Sequence, residues 1–227
     1  MREYIKESVA RQAKKKYSLH GHKAFVVNPF TNDVNFSSIL RRIEDLVPEH
    51  LMNGFEVIYI GQFKDFHKKG RPFNATFKDG AIYISNDQDD DADLIDDIIH
   101  ELAHSIEKDE KFNNIIYGDG AVESEFLAKR KSLFHLLDKP TTNMVHYLNP
   151  EYDKAFDKHL YKDLGYDYLR TAASGLFYSP YAITSLKEYW ANGFENYLLG
   201  DALKLRDLSP VLFKKITELL ETEKEEY

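Results

Sequence analysis

The apolar residues in the first half of the chain alternate between helical and strand-like spacing. Residues 36–46 repeat with a helical period, and residues 55–60 form a run of β-forming residues. Two more β-rich runs, residues 73–77 and 81–85, flank Lys78-Asp79-Gly80, and Asp-Gly between such runs is typical of a tight hairpin. The first half is therefore predicted to contain a small sheet, and we expect its last strand, residues 81–85, to be an edge strand.

The second half of the chain shows helical periods almost throughout. Helices are predicted over residues 121–137, 152–160 and 183–199. A last helix is predicted after Ser209-Pro210, with Ser209 as its N-cap and Pro210 in its first position. The sequence therefore predicts an α+β fold, in which a small N-terminal sheet packs on a helix near residue 100 and a mainly helical C-terminal half follows.

The same patterns predict the domain organisation. Residues 1–17 are rich in Lys and Arg, including Lys14, Lys15 and Lys16, and are predicted to form a basic surface helix, with a linker up to residue 30. Residues 31–227 are predicted to be one domain. It consists of an α/β subdomain over residues 31–108 and a helical subdomain over residues 109–227.

The most informative stretch of the chain is the helical run that contains His100-Glu101-Leu102-Ala103-His104. Carboxylates at the start of a helix satisfy unpaired N–H groups and complement the positive end of the dipole, so the aspartates within residues 86–93 are predicted to start this helix. Its apolar side is formed by Ile95, Ile98, Ile99, Leu102 and Ile106. The opposite face then carries His100, Glu101 and His104.

Histidines four residues apart on a helix can bind one metal ion, because their side chains lie one turn above each other. Glu101 lies on the same face, where its carboxylate can reach a metal-bound water without being a ligand itself. A purely structural metal site has no need of this carboxylate. The alternative interpretation is that His100 and His104 are satisfied within the core, beside an ordinary helix glutamate.

Composition narrows the choice of metal and of partner. The chain has 227 residues, a formal net charge of −8 and no cysteine. Without thiolates, a zinc ion must be bound by His, Asp or Glu, and the negative charge argues against binding of nucleic acid. The pattern predicts neither a signal peptide nor a membrane span. We therefore expect no membrane partner, and a protein that is cytoplasmic, or is packaged or exported by a route without a sequence signal.

A catalytic zinc site needs three protein ligands and an open position for water. The metzincin pattern is disfavoured, because Glu107 replaces the glycine that this pattern requires. The other candidates for the third ligand are Glu123, Glu125, Glu188, Glu195, His135, His146 and His159. Their spacing from His104 does not decide between them.

Residues 181–194 resemble the second motif of the anthrax lethal factor-like zinc metallopeptidases, a group that includes the bacterial Pro-Pro endopeptidases. The residues that carry the resemblance are Tyr181, Glu188 and the Tyr-Trp-Ala that follows Glu188. The resemblance implies a zincin-like fold, with Glu188 as the third zinc ligand and Tyr181 facing the scissile carbonyl. Asn192 departs from the family, which often has glutamate there. Ser185-x-x-Glu188 also matches a capping box, in which Glu188 would bond only to the backbone N–H of Ser185.

The residues and the resemblance together predict a zinc-dependent endopeptidase of the gluzincin type with one catalytic Zn²⁺. Glu101 is the expected general base and Tyr181 the expected donor to the oxyanion. A protein or peptide substrate is expected to pair with the strand over residues 81–85. The alternative is a non-catalytic structural or binding protein, such as a particle or toxin component, in which zinc only stabilises the structure.

Overall fold

The computed structural model describes residues 15–67, 73–137 and 143–222. The chain forms two compact units, Met1–Asp109 and Glu110–Tyr227. Among the described residues, the first unit contains five strands and two α-helices, and the second contains eight α-helices. This distribution confirms the predicted α+β class, with the strands in the N-terminal half and a mainly helical C-terminal half.

The first unit contains the strands β1 (Lys15–Leu19), β2 (His22–Val26), β3 (Val57–Gly61), β4 (Ala75–Lys78) and β5 (Ala81–Ser85). They form one five-stranded sheet in the order β1-β2-β3-β5-β4. β1 pairs antiparallel with β2 and β4 pairs antiparallel with β5, whereas β3 is parallel to both β2 and β5. β3 is buried along its whole length, as expected of a central strand with both faces covered.

The strand order shows that the prediction of an edge position for Ala81–Ser85 is wrong. β5 pairs with β3 on one side and with β4 on the other, so β4 is the strand at this edge of the sheet. The β4–β5 hairpin itself is confirmed, and its turn has positive φ at both Asp79 and Gly80. A local turn signal predicts which two strands pair, but the pairing of β5 with β3 joins distant residues and decides which strand lies outside.

A second hairpin corrects the prediction for the start of the chain. The predicted basic helix is wrong for residues 15–17, which lie in β1, and the predicted linker contains β2. The turn between them consists of His20 and Gly21, with φ angles of 43° and 83°, as in a two-residue hairpin turn. Residues 1–14 of the predicted helix lie outside the described residues.

Two helices pack in the first unit, α1 (Phe36–Leu46) and α2 (Asp91–Ile106). α1 has the predicted bounds, and its N-cap Asn35 accepts a hydrogen bond from the Ser38 N–H at 3.2 Å. α1 contacts β1 and α2, while α2 contacts β4 and β5. The predicted packing of the sheet on the helix that contains His100 and His104 is therefore confirmed.

A 3₁₀ turn, Glu49–Gly54, packs against the C-terminal part of α2. A Cβ atom on Gly54 would lie 2.0 Å from the carbonyl oxygen of Ser105, which is closer than any real contact. Only glycine allows this approach, so Gly54 fixes the turn against the helix one residue after His104.

In its described residues, the second unit has eight helices: α3 (Glu110–Tyr117), α4 (Ala121–Leu136), α5 (Met144–Tyr147), α6 (Lys154–Lys158), α7 (Tyr166–Ala172), α8 (Leu186–Leu198), α9 (Ala202–Leu208) and α10 (Pro210–Glu221). α4 and α10 were predicted, whereas α3, α7 and α9 were not. The helix predicted over residues 152–160 is shorter and continues as a π-helical turn, His159–Gly165. The helix predicted from residue 183 begins later, because Tyr181–Ile183 forms a separate 3₁₀ turn.

Helix α8 lies in the core of this unit, with Trp190 and Phe194 fully buried. A Cβ atom on Gly193 would lie 2.3 Å from Cδ2 of Leu212, so glycine permits the close packing of α8 on α10. This packing fixes the position of the helix whose first turn contains Glu188. Among the described residues, no helix has the length and the apolar composition that crossing a lipid bilayer requires.

The N-terminus of α10 has Ser209 and Pro210 in the predicted N-cap and first positions, but the Ser209 side chain makes no cap hydrogen bond, and a side chain from another helix supplies the cap. Glu125 of α4 accepts hydrogen bonds from the N–H groups of Val211 and Leu212 at 2.9 and 3.2 Å. Glu125 Oε2 also accepts from the Tyr189 hydroxyl at 2.7 Å. The Ser209 hydroxyl instead accepts a hydrogen bond from Lys129. A local pattern cannot identify a cap supplied from a distant helix.

Lys129 completes this buried network. Its Nζ donates to Ser209 Oγ at 2.5 Å and lies 5.0 Å from the centre of the Tyr189 ring. Burial lowers the pKa of Lys129 to about 8, although the nearby Glu125 carboxylate favours the charged form. Burial also raises the pKa of the Tyr189 hydroxyl, which donates to Glu125 and is therefore neutral.

Candidate metal centre

The acidic segment before α2 starts this helix, as the sequence predicts. Asp90 is the N-cap, and its Oδ1 accepts from the N–H groups of Ala92 and Asp93 at 2.8 and 3.0 Å. Asp91 and Asp93 lie in the first turn, where negative charge complements the helix dipole. These contacts give the acidic segment a structural role in the helix that contains the two histidines.

The predicted apolar side of α2 is buried and leaves the two histidines half-buried. The rings of His100 and His104 lie with their centres 5.1 Å apart and their planes at 78°. This is the arrangement that two side chains one helical turn apart adopt when they point in the same direction. Both imidazoles can therefore bind one ion.

Glu101 is buried, with 7% of its surface exposed, and is held by the edge strand of the sheet. Its Oε2 accepts a hydrogen bond from the backbone N–H of Phe77 in β4, with an N–O distance of 2.5 Å. No sequence pattern indicates this contact, because it joins a helix side chain to the backbone of a strand 24 residues earlier.

The pairing of β4 with β5 explains why the Phe77 N–H is directed towards Glu101. Residues of an antiparallel pair alternate between bonding across and facing away. The Ser85 N–H donates to the Asn74 carbonyl at 2.6 Å, so the backbone groups of Asn74 face β5, and those of Thr76 do the same. The backbone groups of Ala75 and Phe77 face the opposite way. The N–H groups of Ala75 and Phe77 therefore point away from β5, towards the outer side of the edge strand.

Glu188 lies in the first turn of α8, immediately after a sharply folded segment. The 3₁₀ turn Tyr181–Ile183 ends where Thr184 donates to the carbonyl of Tyr181, through its N–H at 3.0 Å and its hydroxyl at 2.8 Å. Ser185 is the N-cap of α8, and its Oγ accepts from the Glu188 N–H at 3.2 Å. Ser185 therefore caps the helix as its sequence pattern predicts, and the group that it binds is the backbone N–H of Glu188.

The side chains of His100, His104 and Glu188 form a group that could hold a metal ion. One ligand atom from each residue, a ring nitrogen or a carboxylate oxygen, lies within 4.8 Å of the other two. The cap at Ser185 and membership of this group are compatible, because the cap uses the N–H of Glu188 and the group uses its carboxylate. Among the described residues, no other three His, Cys, Asp or Glu side chains converge in this way.

The alternative third ligands are not part of this group. Glu125 caps α10, as described above. Glu195 accepts from Asn196 at 3.3 Å, and His159 Nδ1 lies 3.2 Å from Asp163 Oδ2. Glu123, His135 and His146 are also described and do not converge with the two histidines.

Asn192, where the lethal factor-like pattern often has glutamate, is buried beneath the segment that leads into α8. Its Oδ1 accepts from the Ser179 hydroxyl at 3.1 Å, and the same hydroxyl accepts from the Ala182 N–H at 3.4 Å. Asn192 therefore ties the turn that contains Tyr181 to the body of α8. Tyr181 itself is half-buried.

Two further polar side chains near the histidines were not assigned a role from the sequence. The Glu107 side chain is only 4% exposed, and its Oε1 lies 4.0 Å from Nδ1 of His104. Asp97, one turn before His100, accepts from the buried Gln88 amide at 2.9 Å. The sequence pattern that could have identified them is their spacing, because Asp97 lies three residues before His100 and Glu107 three residues after His104.

No protein-family model, no curated protein and no solved structure matches the chain.

Proposed function

We propose that the chain is a zinc-dependent endopeptidase of the gluzincin type, related to the lethal factor-like metallopeptidases. The observation that carries this proposal is the convergence of His100, His104 and Glu188 next to the buried carboxylate of Glu101. A structural metal site needs its ligands alone, whereas hydrolysis also needs a base beside them.

The donor atoms favour zinc among the common metal ions. Two imidazole nitrogens and one carboxylate oxygen suit a borderline ion such as zinc better than calcium or magnesium, which prefer oxygen ligands alone. Three protein ligands also leave a fourth tetrahedral position open for water. A zinc ion held by these residues would lower the pKa of a bound water towards ~7 and would polarise the substrate carbonyl.

Glu101 is the proposed general base. It takes a proton from the water as the water attacks the carbonyl carbon, and transfers the proton to the leaving amine. The hydrogen bond from the Phe77 N–H to Oε2 orients this carboxylate. Tyr181 is proposed to donate its hydroxyl to the oxyanion that forms.

The substrate is proposed to pair with β4, which replaces Ala81–Ser85 as the binding strand because β5 is paired on both sides. The N–H and C=O groups of Ala75 point away from β5 and are oriented for pairing with an added strand. Such pairing would fix an extended peptide by its backbone, close to the strand residue that holds Glu101.

One observation favours the alternative of a non-catalytic protein stabilised by zinc. Glu101 links α2 to the edge strand through Phe77, so a buried carboxylate at this position also has a structural use. The two functions differ in what the charge of Glu101 does. In the structural alternative an acceptor oxygen is sufficient, whereas in hydrolysis the side chain must accept a proton.

The variant Glu101→Gln separates these functions, because glutamine keeps an oxygen that can accept from Phe77 but is not a base at neutral pH. We expect the variant to fold, to bind zinc as the unmodified protein does, and to lose cleavage of a mixed peptide library followed by mass spectrometry. Asp91→Asn, the same change at an exposed position of α2, is the matched control and should cleave normally. Cleavage by Glu101→Gln at the unmodified rate, or no cleavage by the zinc-loaded unmodified protein, would reject the proposal.

A further inference from the structure

Glu107 is a buried carboxylate whose position next to a proposed metal ligand calls for an explanation. It is the C-cap residue of α2, and its side chain points back along the helix, so that Oε1 lies 4.0 Å from Nδ1 of His104. Glutamate is rarely buried to this degree unless its charge is compensated. Lys and Arg, in contrast, would be the usual residues at a helix C-terminus, because they complement its dipole.

We infer that Glu107 is a positioning residue that orients the His104 ring and compensates the charge of the metal. This inference rests on the proposed metal ion at His100, His104 and Glu188, and it does not depend on peptidase activity.

The orientation follows from the two nitrogens of the imidazole. With Nδ1 of His104 directed towards Glu107, Nε2 is left to bind the ion. A proton on Nδ1 can then be shared with the carboxylate, which fixes the tautomer and makes Nε2 a better donor to the metal. A shift of about 1 Å, within ordinary side-chain motion, would bring 4.0 Å to hydrogen-bond distance.

The charges support the same role. A divalent ion bound by two neutral imidazoles and the Glu188 carboxylate would keep one positive charge, which the nearby carboxylates of Glu101 and Glu107 can compensate. The buried Glu107 carboxylate next to His104 supplies one negative charge. A nearby cation stabilises a buried carboxylate, so Glu107 favours binding of the metal ion.

The test measures zinc affinity, which a purely structural carboxylate would not change. The metal-free protein and its variants are titrated with Zn²⁺ against a coloured chelator, and their thermal unfolding without metal is recorded in parallel. Glu107→Gln, which keeps the size and removes the charge, should bind zinc about 10- to 100-fold more weakly than the unmodified protein. Asp91→Asn, at the exposed start of the same helix, should bind within about twofold.

Cobalt provides a second measurement at the same site. When Co²⁺ replaces zinc, its visible absorption reports the geometry of the ligands, and Glu107→Gln should shift these bands if the His104 ring is no longer held. Glu107→Asp keeps the charge but shortens the side chain, and should bind zinc more tightly than Glu107→Gln and severalfold more weakly than the unmodified protein. If Glu107→Gln does not fold, the zinc affinity of Glu107→Asp tests whether Glu107 positions His104.

The outcomes separate this inference from the proposed function. Unchanged zinc affinity in both Glu107 variants, or an equal loss in Asp91→Asn, overturns the inference and leaves the peptidase proposal untouched. Weaker zinc binding by the Glu107 variants of a protein that cleaves no peptide supports the inference and rejects the peptidase. If the unmodified protein binds no zinc, both are overturned.

Discussion

The backbone N–H of Phe77 in β4 donates a hydrogen bond to Oε2 of Glu101 in α2, over 2.5 Å. The donor direction is set by the sheet, because Phe77 is at a position that faces away from β5. The edge strand thus determines where the buried carboxylate lies. If Glu101 is the base, the strand proposed to bind the substrate also orients the group that activates the water.

We predict that Phe77→Pro is less stable than Phe77→Ala. Both variants remove the ring, but only proline removes the N–H, and at this outward-facing position proline breaks no bond of the sheet. Loss of a hydrogen bond to a charged group costs about 1.5–3 kcal/mol. Urea unfolding of the two variants measures the difference, and equal free energies of unfolding would show that the contact contributes nothing.

We predict that Glu125→Ala is destabilised without any loss of zinc binding. The substitution leaves the N–H groups of Val211 and Leu212 and the Tyr189 hydroxyl without their acceptor, at a cost of about 1–3 kcal/mol. Glu123→Ala, in the same helix, is the control and should be nearly neutral. Zinc titration completes the measurement, and weaker binding by Glu125→Ala would return Glu125 to the candidates for third ligand.

The buried Lys129 predicts a rise in stability between about pH 8 and pH 10. Its pKa is about 8 in the folded protein and 10.5 when unfolded, so over this range the unfolded chain binds more protons than the folded one. Stability then increases with pH, with a slope of up to about 1.4 kcal/mol per pH unit. Unfolding in urea at pH 7.5, 8.5 and 9.5 measures the slope. Lys129→Met should lose most of it, and an equal slope in this variant would assign the effect to other groups.

The fold was predictable where the deciding interactions are local. The period of α1 and the Asp79-Gly80 turn are visible in short stretches of sequence, and both predictions are confirmed. The outer position of β4 depends on the parallel pairing of β5 with β3, which no local pattern encodes. The β1–β2 hairpin was missed because the basic residues of β1, Lys15 and Lys16, continue the charge run that precedes them.

In the candidate site, too, local relationships were predictable from the sequence and contacts between distant residues were not. The spacing of His100 and His104 on one helix is enough to predict that their side chains lie together, and the structure brings them together. Spacing alone left seven candidates for the third ligand, and only the resemblance around Glu188 distinguished one of them. The group that converges contains Glu188, while the catalytic roles of Glu101 and Tyr181 stay predictions. The contact of Glu101 with Phe77 involves a backbone group, and sequence patterns do not identify such partners.

His100, His104 and Glu188 are proposed to hold one zinc ion together, and zinc titration of Glu188→Gln shows whether they do. Glutamine retains the size of the side chain and the cap by Ser185, which uses only the backbone N–H. Glu195→Gln, in the same helix, is the matched control. We predict one zinc ion per chain for the unmodified protein and for the control, with much weaker binding by Glu188→Gln, because a charged ligand is lost. Equal zinc affinity in all three proteins would contradict the claim.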